Sequence, residues 1–233
     1  MRGRPLHLAL DLSQRHDLTA LSGCWEGDRL NVKTWYWTSE RDVPERSTAD
    51  KIPYRELAEE GLLTITPSRT IDFSFVVKQV QEICQRHDVV QLVFDSAFIE
   101  DFMRACEVAG FPVWHYRGPD EPEGLGLKLV THAQGGKVAF EEKLLCMPIS
   151  IRHLEDHILK GTITIDRSRL TVICASNAVL NSDAYKNKWF DKKKSRGRID
   201  GMVTIAMSVG SATGVMEARD GTSVYEARGI LTL

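Results

Sequence analysis

The sequence predicts an α/β protein in which a central mixed sheet is flanked by helices. Three observations predict it. Three β-rich runs stand close together, "LHLALDL" (6–12), "TALSGCWEG" (19–27) and "RLNVKTWYW" (29–37), separated by polar turns, which makes an antiparallel meander. Later, "VVQLVFDS" (89–96) is apolar almost throughout, the pattern of a central strand covered on both faces. Segments with an apolar period near 3.6 residues lie before and after that strand and again near residue 200, so helices accompany the later strands. With 233 residues, 42% of them hydrophobic, the chain can fill one large core, and a single domain is expected.

Taken in order, the three strands of the meander come first, with Gly27-Asp28 as the tight connection between the second and third. Residues 38–68 are polar and charged and hold three Pro, so they read as a long surface excursion with a short helix near 53–60. The stripe Phe75, Val76, Val80 and Ile83 predicts a helix over 71–88, and Asp95 closes the strand that follows. A helix over 97–109 ends at Gly110, "FPVWHY" gives another strand, and "RGPDEPEGLG" (117–126) is a loop. "ISIRHLEDHILKG" predicts a helix, and 162–180 a β-hairpin with its turn near Asp166 to Ser168. The last helix lies in "RGRIDGMVTIAMSVG" (196–210), where Ile199, Met202, Val203, Ala206 and Val209 form one stripe. The final 20 residues have no clear period, so the core is expected over about 6–213 with a tail at 214–233.

Composition narrows the function classes. A formal net charge of −2 gives no global footprint for nucleic acid, so any such contact must be local. Cys24, Cys84, Cys106, Cys146 and Cys174 are odd in number and scattered through apolar runs, which suits reduced packing residues rather than a disulfide framework. No run has the pattern of a cleaved leader or the length of a membrane span, so a soluble, cytoplasmic protein is expected.

Asp200 sits beside the first residue of its helix's apolar stripe. A buried ionised carboxylate is unfavourable unless it is paired, hydrogen-bonded or bound to a cation. Asp11 near the end of the first strand and Asp95 at the end of the fourth are the candidate companions. Strands one and four are neighbours in the ribonuclease H topology, so three distant carboxylates can meet. Hard oxygen ligands suit Mg²⁺ or Mn²⁺, and two such ions ~4 Å apart can stabilise the attacking and leaving oxygens of a phosphodiester. Each Asp alone is also explained as a cap or a helix N-terminal charge. The three together, in this order, point to a metal site.

These residues carry a family resemblance. "LALDLSQRHDLTAL", "IPYRELAEEGLLTITPS", "LVFDS", "AQGG", "ICASNAVL" and above all "DKKKSRGRIDGMVTIAMS" resemble, in order along nearly the whole chain, the nuclease domain of the large terminase subunit of tailed bacteriophages, of the HK97-like group. The resemblance implies a ribonuclease H-like (retroviral integrase-like) fold and an endonuclease that cuts double-stranded concatemeric DNA during genome packaging in the host cell cytoplasm. By position it implies Asp11, Asp95 and Asp200 as the catalytic, metal-binding triad, with Mg²⁺ or Mn²⁺ as cofactor. Asp17, six residues after Asp11, is a candidate further ligand or a turn residue before the second strand. The family's large subunit also has an ATPase motor and works with a small subunit and a portal. No G-x-x-x-x-G-K-[ST] occurs here, and "GGK" (135–137) lacks the spacing, so the chain looks like the nuclease half alone.

Seven of the thirteen residues from 186 to 198 are basic: Lys186, Lys188, Lys192, Lys193, Lys194, Arg196 and Arg198. Placed just before Asp200, they would offset repulsion between DNA and an acidic site by holding phosphates, with no reading of bases. His153 and His157 at i and i+4, with Cys146 and His132, do not match a zinc pattern and read as surface or interhelical residues. His16 and His115 are loose candidates for a base or phosphate contact, and Trp35, Tyr36 and Trp37 read as strand packing. A junction resolvase or integrase-like nuclease on the same fold, and a non-catalytic docking module, are the rival readings.

Overall fold

The computed structural model describes residues 3–14, 17–136 and 145–219. His16, the stretch 137–144 and most of the expected tail lie outside the described residues. The meander is present as β1 (Leu6–Asp11), β2 (Thr19–Trp25) and β3 (Leu30–Ser39), antiparallel in turn, with Asp11 opposite Ala20. The excursion that follows holds more structure than its polarity suggests. It contains α1 (Val43–Asp50), α2 (Tyr54–Glu59) and β4 (Thr64–Thr66), anchored by the buried side chains of Val43, Ile52, Tyr54 and Leu57.

α3 (Phe73–Arg86) starts where Asp72 accepts a hydrogen bond from the Ser74 N–H at 2.9 Å. Its buried face is Phe73, Val76, Val77, Val80 and Ile83, whereas Phe75 of the expected stripe is exposed. β5 (Val89–Phe94), α4 (Ile99–Val108) and β6 (Val113–Tyr116) fall as expected. β7 (Leu127–Thr131) was not expected; Leu127 and Leu129 alternate inward and make it a strand.

α5 (Met147–Leu159) is followed by the main departure. In place of a hairpin over 162–180, β8 (Ile163–Ile165) pairs in parallel with β3, and α6 (Arg169–Asn177) is helical. The β-branched Thr171, Val172 and Ile173 favour a strand, but two local facts prevail. Ser168 caps the helix by accepting from the Thr171 N–H at 3.2 Å, and helical spacing buries Leu170, Thr171 and Cys174 together. β9 (Leu180–Ser182) and β10 (Lys188–Phe190) then form a separate two-stranded sheet before α7 (Asp200–Arg219).

The sheet order is β4-β3-β2-β1-β5-β7-β6, with β8 also on β3. β1, β5, β7 and β6 run parallel, and β2 alone is antiparallel to its neighbours, which is the ribonuclease H-like arrangement. One face carries α3 and α4 over Leu8, Leu10, Leu92 and Phe94. The other carries α5 and α7 over Ala9, Cys24 and Val93. None of the described helices is long and apolar enough to cross a membrane.

α7 is buried around nearly its whole circumference from Asp200 to Ala212 rather than along one stripe, and it continues to Arg219, past the boundary expected at 213. Its polar residues meet polar partners in the sheet. Thr204 Oγ1 is 2.8 Å from Ser22 Oγ, and Ser211 Oγ is 3.0 Å from His7 Nδ1 and accepts from Gln91 Nε2 at 2.9 Å. Gly210 lets α7 approach α5, because a Cβ there would lie 2.6 Å from Ser150 Cβ and 2.9 Å from its Cα. Gly210→Ala gains roughly 0.5–1 kcal/mol of helix propensity but overpacks a helix contact that includes backbone, at about 1–3 kcal/mol. The clash prevails, and thermal denaturation is expected to show a lower Tm than wild type.

Candidate active site

The ends of β1 and β5 and the start of α7 meet on the α5/α7 face of the sheet. Asp11 ends β1 and is 6% exposed; Asp200 opens α7 and is 3% exposed. Leu10 pairs in parallel with Phe94, so Asp95, the residue after β5, stands beside the end of β1 and is half-buried. Its Oδ1 accepts from the Ser96 N–H at 2.8 Å. The fold thus brings the three carboxylates to one end of the sheet.

Burial dominates the electrostatics. It raises the Asp11 pKa, against the charge and hydrogen bond of Lys192 and a hydrogen bond from Gln134, and the Asp95 charge adds to the rise. Burial first and the Asp11 charge second raise the Asp200 pKa to about 7, with Lys192 only partly offsetting them. Asp200 Oδ2 is buried with no hydrogen-bond donor among the described residues. An unpartnered acceptor next to a second buried carboxylate fits a cation ligand. As they stand, no three His, Cys, Asp or Glu among the described residues are gathered closely enough to hold an ion. Lys192 is shared by two of the carboxylates: its Nζ is 3.2 Å from Asp11 Oδ2 and 3.9 Å from Asp200 Oδ1.

The basic run is therefore not a uniform comb facing solvent, and three of the expected DNA contacts make ion pairs with carboxylates of the chain. Lys192 points into the carboxylates. Lys188 Nζ is held by both oxygens of Glu155 at 2.7 and 2.8 Å. Arg198 donates through Nε and Nη2 to the two oxygens of Asp50 at 3.0 and 2.9 Å, and through Nη1 to Asp17. Asp17 is half-exposed and is engaged by that guanidinium. Lys194 makes a local pair with Asp191 at 3.6 Å, while Lys186, Lys193 and Arg196 have no side-chain partner among the described residues.

Two residues of the site were missed. The Gln134 amide lies close enough to Asp11 to favour its charged form, and its Nε2 reaches Met207 Sδ at 3.8 Å. It lies in "AQGG", and Trp189 of β10 packs over Gly136 of that turn, where a side chain would strike the ring. Asp50 also accepts from the Tyr54 hydroxyl at 2.7 Å, and its pairing with Arg198 is a three-dimensional fact that no spacing reveals. The expected minor candidates go elsewhere. His115 bonds Thr131 at 2.9 Å and stacks edge-on against Phe94 on the opposite face of the sheet. His132 lies 2.8 Å from Ser150 Oγ, His157 bonds Thr162 and Thr213, and His153 faces Glu217 at 3.8 Å. Burial pushes His132 and His153 down to about 4, so both are neutral near pH 7. Tyr36 and Trp37 are core residues, and Trp35 packs against the α3/α4 core.

A ribonuclease H-like sheet with a buried and a half-buried carboxylate at adjacent parallel strand ends and a second buried one at a helix start defines an acidic-site α/β protein of that fold class. No protein-family model matches the chain. The large terminase subunit of Enterobacteria phage HK97 is 35% identical over 220 residues, 94% of this chain and 39% of that protein. The crystal structure of the HK97 bacteriophage large terminase matches at 36% identity with a TM-score of 0.74, over 90% of this chain and 40% of that one. The large terminase nuclease from thermophilic phage G20c matches at 10% identity over 91% of this chain and 82% of that one, with a TM-score of 0.49, too loose to transfer any residue. Over nearly its whole length the chain is thus similar to one part of the HK97 large terminase, and it spans about two-fifths of the length of that relative.

The raised Asp200 pKa has a sign that can be measured without metal. The folded state binds this proton more tightly than the unfolded chain, so the site costs nothing below about pH 4 and loses stability as pH climbs toward 7. Asp200→Asn removes that loss. In the absence of divalent ions the variant is expected to be more stable than wild type at pH 8, by about 1–3 kcal/mol, with the difference fading toward pH 4 in denaturant titrations.

Proposed function

We propose that the chain is the DNA-cutting unit of a packaging terminase. In this reading it is a metal-dependent endonuclease acting on double-stranded, concatemeric viral DNA with little dependence on sequence. The observation that carries the reading is the buried pair Asp11 and Asp200, the latter with an acceptor atom that no donor among the described residues reaches, beside Asp95. Kinship with the HK97 large terminase supports the packaging context. The whole span 1–233 is read as the nuclease unit, acting in the host cytoplasm with an ATPase motor, a small subunit and a portal as partners of the full-length subunit.

Asp11, Asp95 and Asp200 would hold Mg²⁺ or Mn²⁺, two ions in the DNA-bound state, with Asp17 as a further ligand if Arg198 releases it. When bound, such ions supply Lewis acidity to the scissile phosphate and make water a stronger acid. The protein's part is positioning. Lys192 Nζ lies 3.2 Å from the Asp11 carboxylate, the Gln134 amide nearby favours its charged form, and the buried start of α7 fixes Asp200. Lys193, Lys194, Arg196 and Lys186 meet the DNA backbone, where ammonium and guanidinium groups offset the negative charge of the site.

Plasmid cleavage in Mg²⁺ or Mn²⁺ tests the reading. Asp95→Asn is expected to lose activity by roughly a hundredfold or more while keeping its circular dichroism spectrum; full activity in that variant sinks the triad. In parallel, saturating Mn²⁺ should raise the Tm of wild type, by mass action worth about 2.7 kcal/mol at a hundredfold excess over Kd. An Asp11→Ala, Asp200→Ala chain should show no such rise.

The backbone-holding role is checked separately. Joint replacement of Lys193, Lys194 and Arg196 by Ala should weaken binding of unrelated duplexes equally and flatten the dependence of log K on log salt by about 0.9 per lost phosphate contact. Cleavage should recover partly at low salt and high protein, since no metal ligand is altered. Sequence-dependent losses in a binding assay would contradict it.

A further inference from the structure

Among the seven basic residues before Asp200, Lys192 is singled out by where its ammonium lies. It is shared between Asp11 Oδ2 at 3.2 Å and Asp200 Oδ1 at 3.9 Å, both on carboxylates less than a tenth exposed. The turn that presents it is built for the purpose. Asp191 Oδ1 accepts from the N–H groups of Lys193 and Lys194 at 3.0 and 3.1 Å, its carbonyl accepts from the Ser195 N–H at 3.0 Å, and Asn181 Nδ2 donates to its Oδ2 at 3.4 Å. That closed turn leaves Lys193 and Lys194 outside and sends Lys192 inward. The Lys192 side chain is nonetheless 47% exposed, so its stem can leave the carboxylates for solvent without opening the core.

We propose that Lys192 is a tethered counter-cation of the carboxylate site, whose ammonium must leave before Asp11 and Asp200 can share a divalent ion. This rests on the reading of those two residues as cation ligands. The physical basis is exclusion by charge and by oxygen. An ammonium within 4 Å repels a doubly charged ion strongly in a partly desolvated site, and it occupies lone pairs the ion requires. Without the ammonium, the two buried carboxylates are left, among the described residues, with the nearby Gln134 amide and the helix N-terminus to stabilise them. The lysine therefore keeps the folded site intact between ions and weakens its intrinsic affinity for them. Once displaced, the ammonium remains on the loop that holds DNA backbone, where a phosphate can take it.

Calorimetric titration of Mn²⁺ into the whole chain, at fixed pH and ionic strength, tests this on wild type, Lys192→Met, Lys192→Arg and an Asp11→Asn, Asp200→Asn chain. Lys192→Met is expected to bind Mn²⁺ about tenfold tighter, the factor that ~1.4 kcal/mol of removed repulsion produces. Lys192→Arg, which keeps the charge, should stay near wild type. If the double Asn chain loses Mn²⁺ binding but Lys192→Met binds no tighter than wild type, the site reading stands and the counter-cation is overturned. If the double Asn chain binds Mn²⁺ as wild type does, the ions lie elsewhere and the site reading itself fails. A second measurement needs no variant: reductive methylation of wild type, followed by mass spectrometry. Saturating Mn²⁺ should raise the labelling rate of Lys192 several-fold relative to Lys193, and an unchanged or lower ratio overturns the proposal.

Discussion

Keeping Asp11 and Asp200 out of water is the constraint around which the rest of the molecule is arranged. A carboxylate loses more hydration on burial than any one neighbour restores, and here two are buried together: burial raises both pKa values, the Asp11 charge adds to the rise at Asp200, and the Asp95 charge adds to it at Asp11. Three features work against that cost. The start of a 20-residue helix offers Asp200 the positive end of its dipole, Lys192 offers both groups a charge, and the nearby Gln134 amide favours the charged form of Asp11. Their sum still falls short, since Asp200 stays near 7 with one oxygen unsatisfied. Packing elsewhere must carry the difference, and the three apolar clusters on the two faces of the sheet are where it comes from.

The same charge balance gives the excursion between β3 and β4 a purpose that its composition conceals. Asp50, at the end of α1, is fixed by the Tyr54 hydroxyl and grips Arg198 through both oxygens. Arg198 in turn holds Asp17 on the far side of the site and lies two residues before Asp200. A planar guanidinium with donors on two edges can join two carboxylates in fixed directions, which an ammonium cannot. The basic run before α7 thus divides by geometry. Its inward members neutralise carboxylates of the fold, and its outward members remain for phosphate.

How much of this the sequence disclosed follows the reach of each interaction. β1, β2, β3, β5, α3, α4 and α7 were legible because their apolar period is set by the chain itself. That Asp11, Asp95 and Asp200 lie at one end of the sheet was legible because each closes or opens such an element. α6 was misread because Thr171, Val172 and Ile173 favour a strand in isolation, whereas the Ser168 cap and the burial of Cys174 against the Tyr36 region decide the outcome in three dimensions. β7 was passed over because its strand is five residues long and follows a loop rich in Gly, Pro and Glu. The partition of the basic residues could not be read at all. Lys188 with Glu155 and Arg198 with Asp50 are separated by 33 and 148 residues, and charge alone says nothing about which carboxylate a lysine or arginine will find.

The position of Asp200 is fixed from the other end of α7. Burial lowers the pKa of His7, so its imidazole is neutral and has one donor and one acceptor nitrogen. With Nε2 donating to Glu26 Oε1 at 2.7 Å, Nδ1 accepts from the Ser211 hydroxyl, whose oxygen accepts from Gln91. Arg219 closes the chain by donating to both Glu26 oxygens at 3.1 and 2.9 Å. His7, Ser211 and Gln91 sit on three different elements, so the line is satisfied in one register of α7 against β1 and β5. Ser211 and Asp200 are about 16 Å apart along a helix rising 1.5 Å per residue, and His7 and Asp11 about 13 Å along a strand. The polar line and the carboxylates are therefore opposite ends of one helix-on-sheet contact. A slip of α7 by one residue would break the line at Ser211 and turn Asp200 by about 100° away from Asp11, so the buried polar residues far from the site set its geometry.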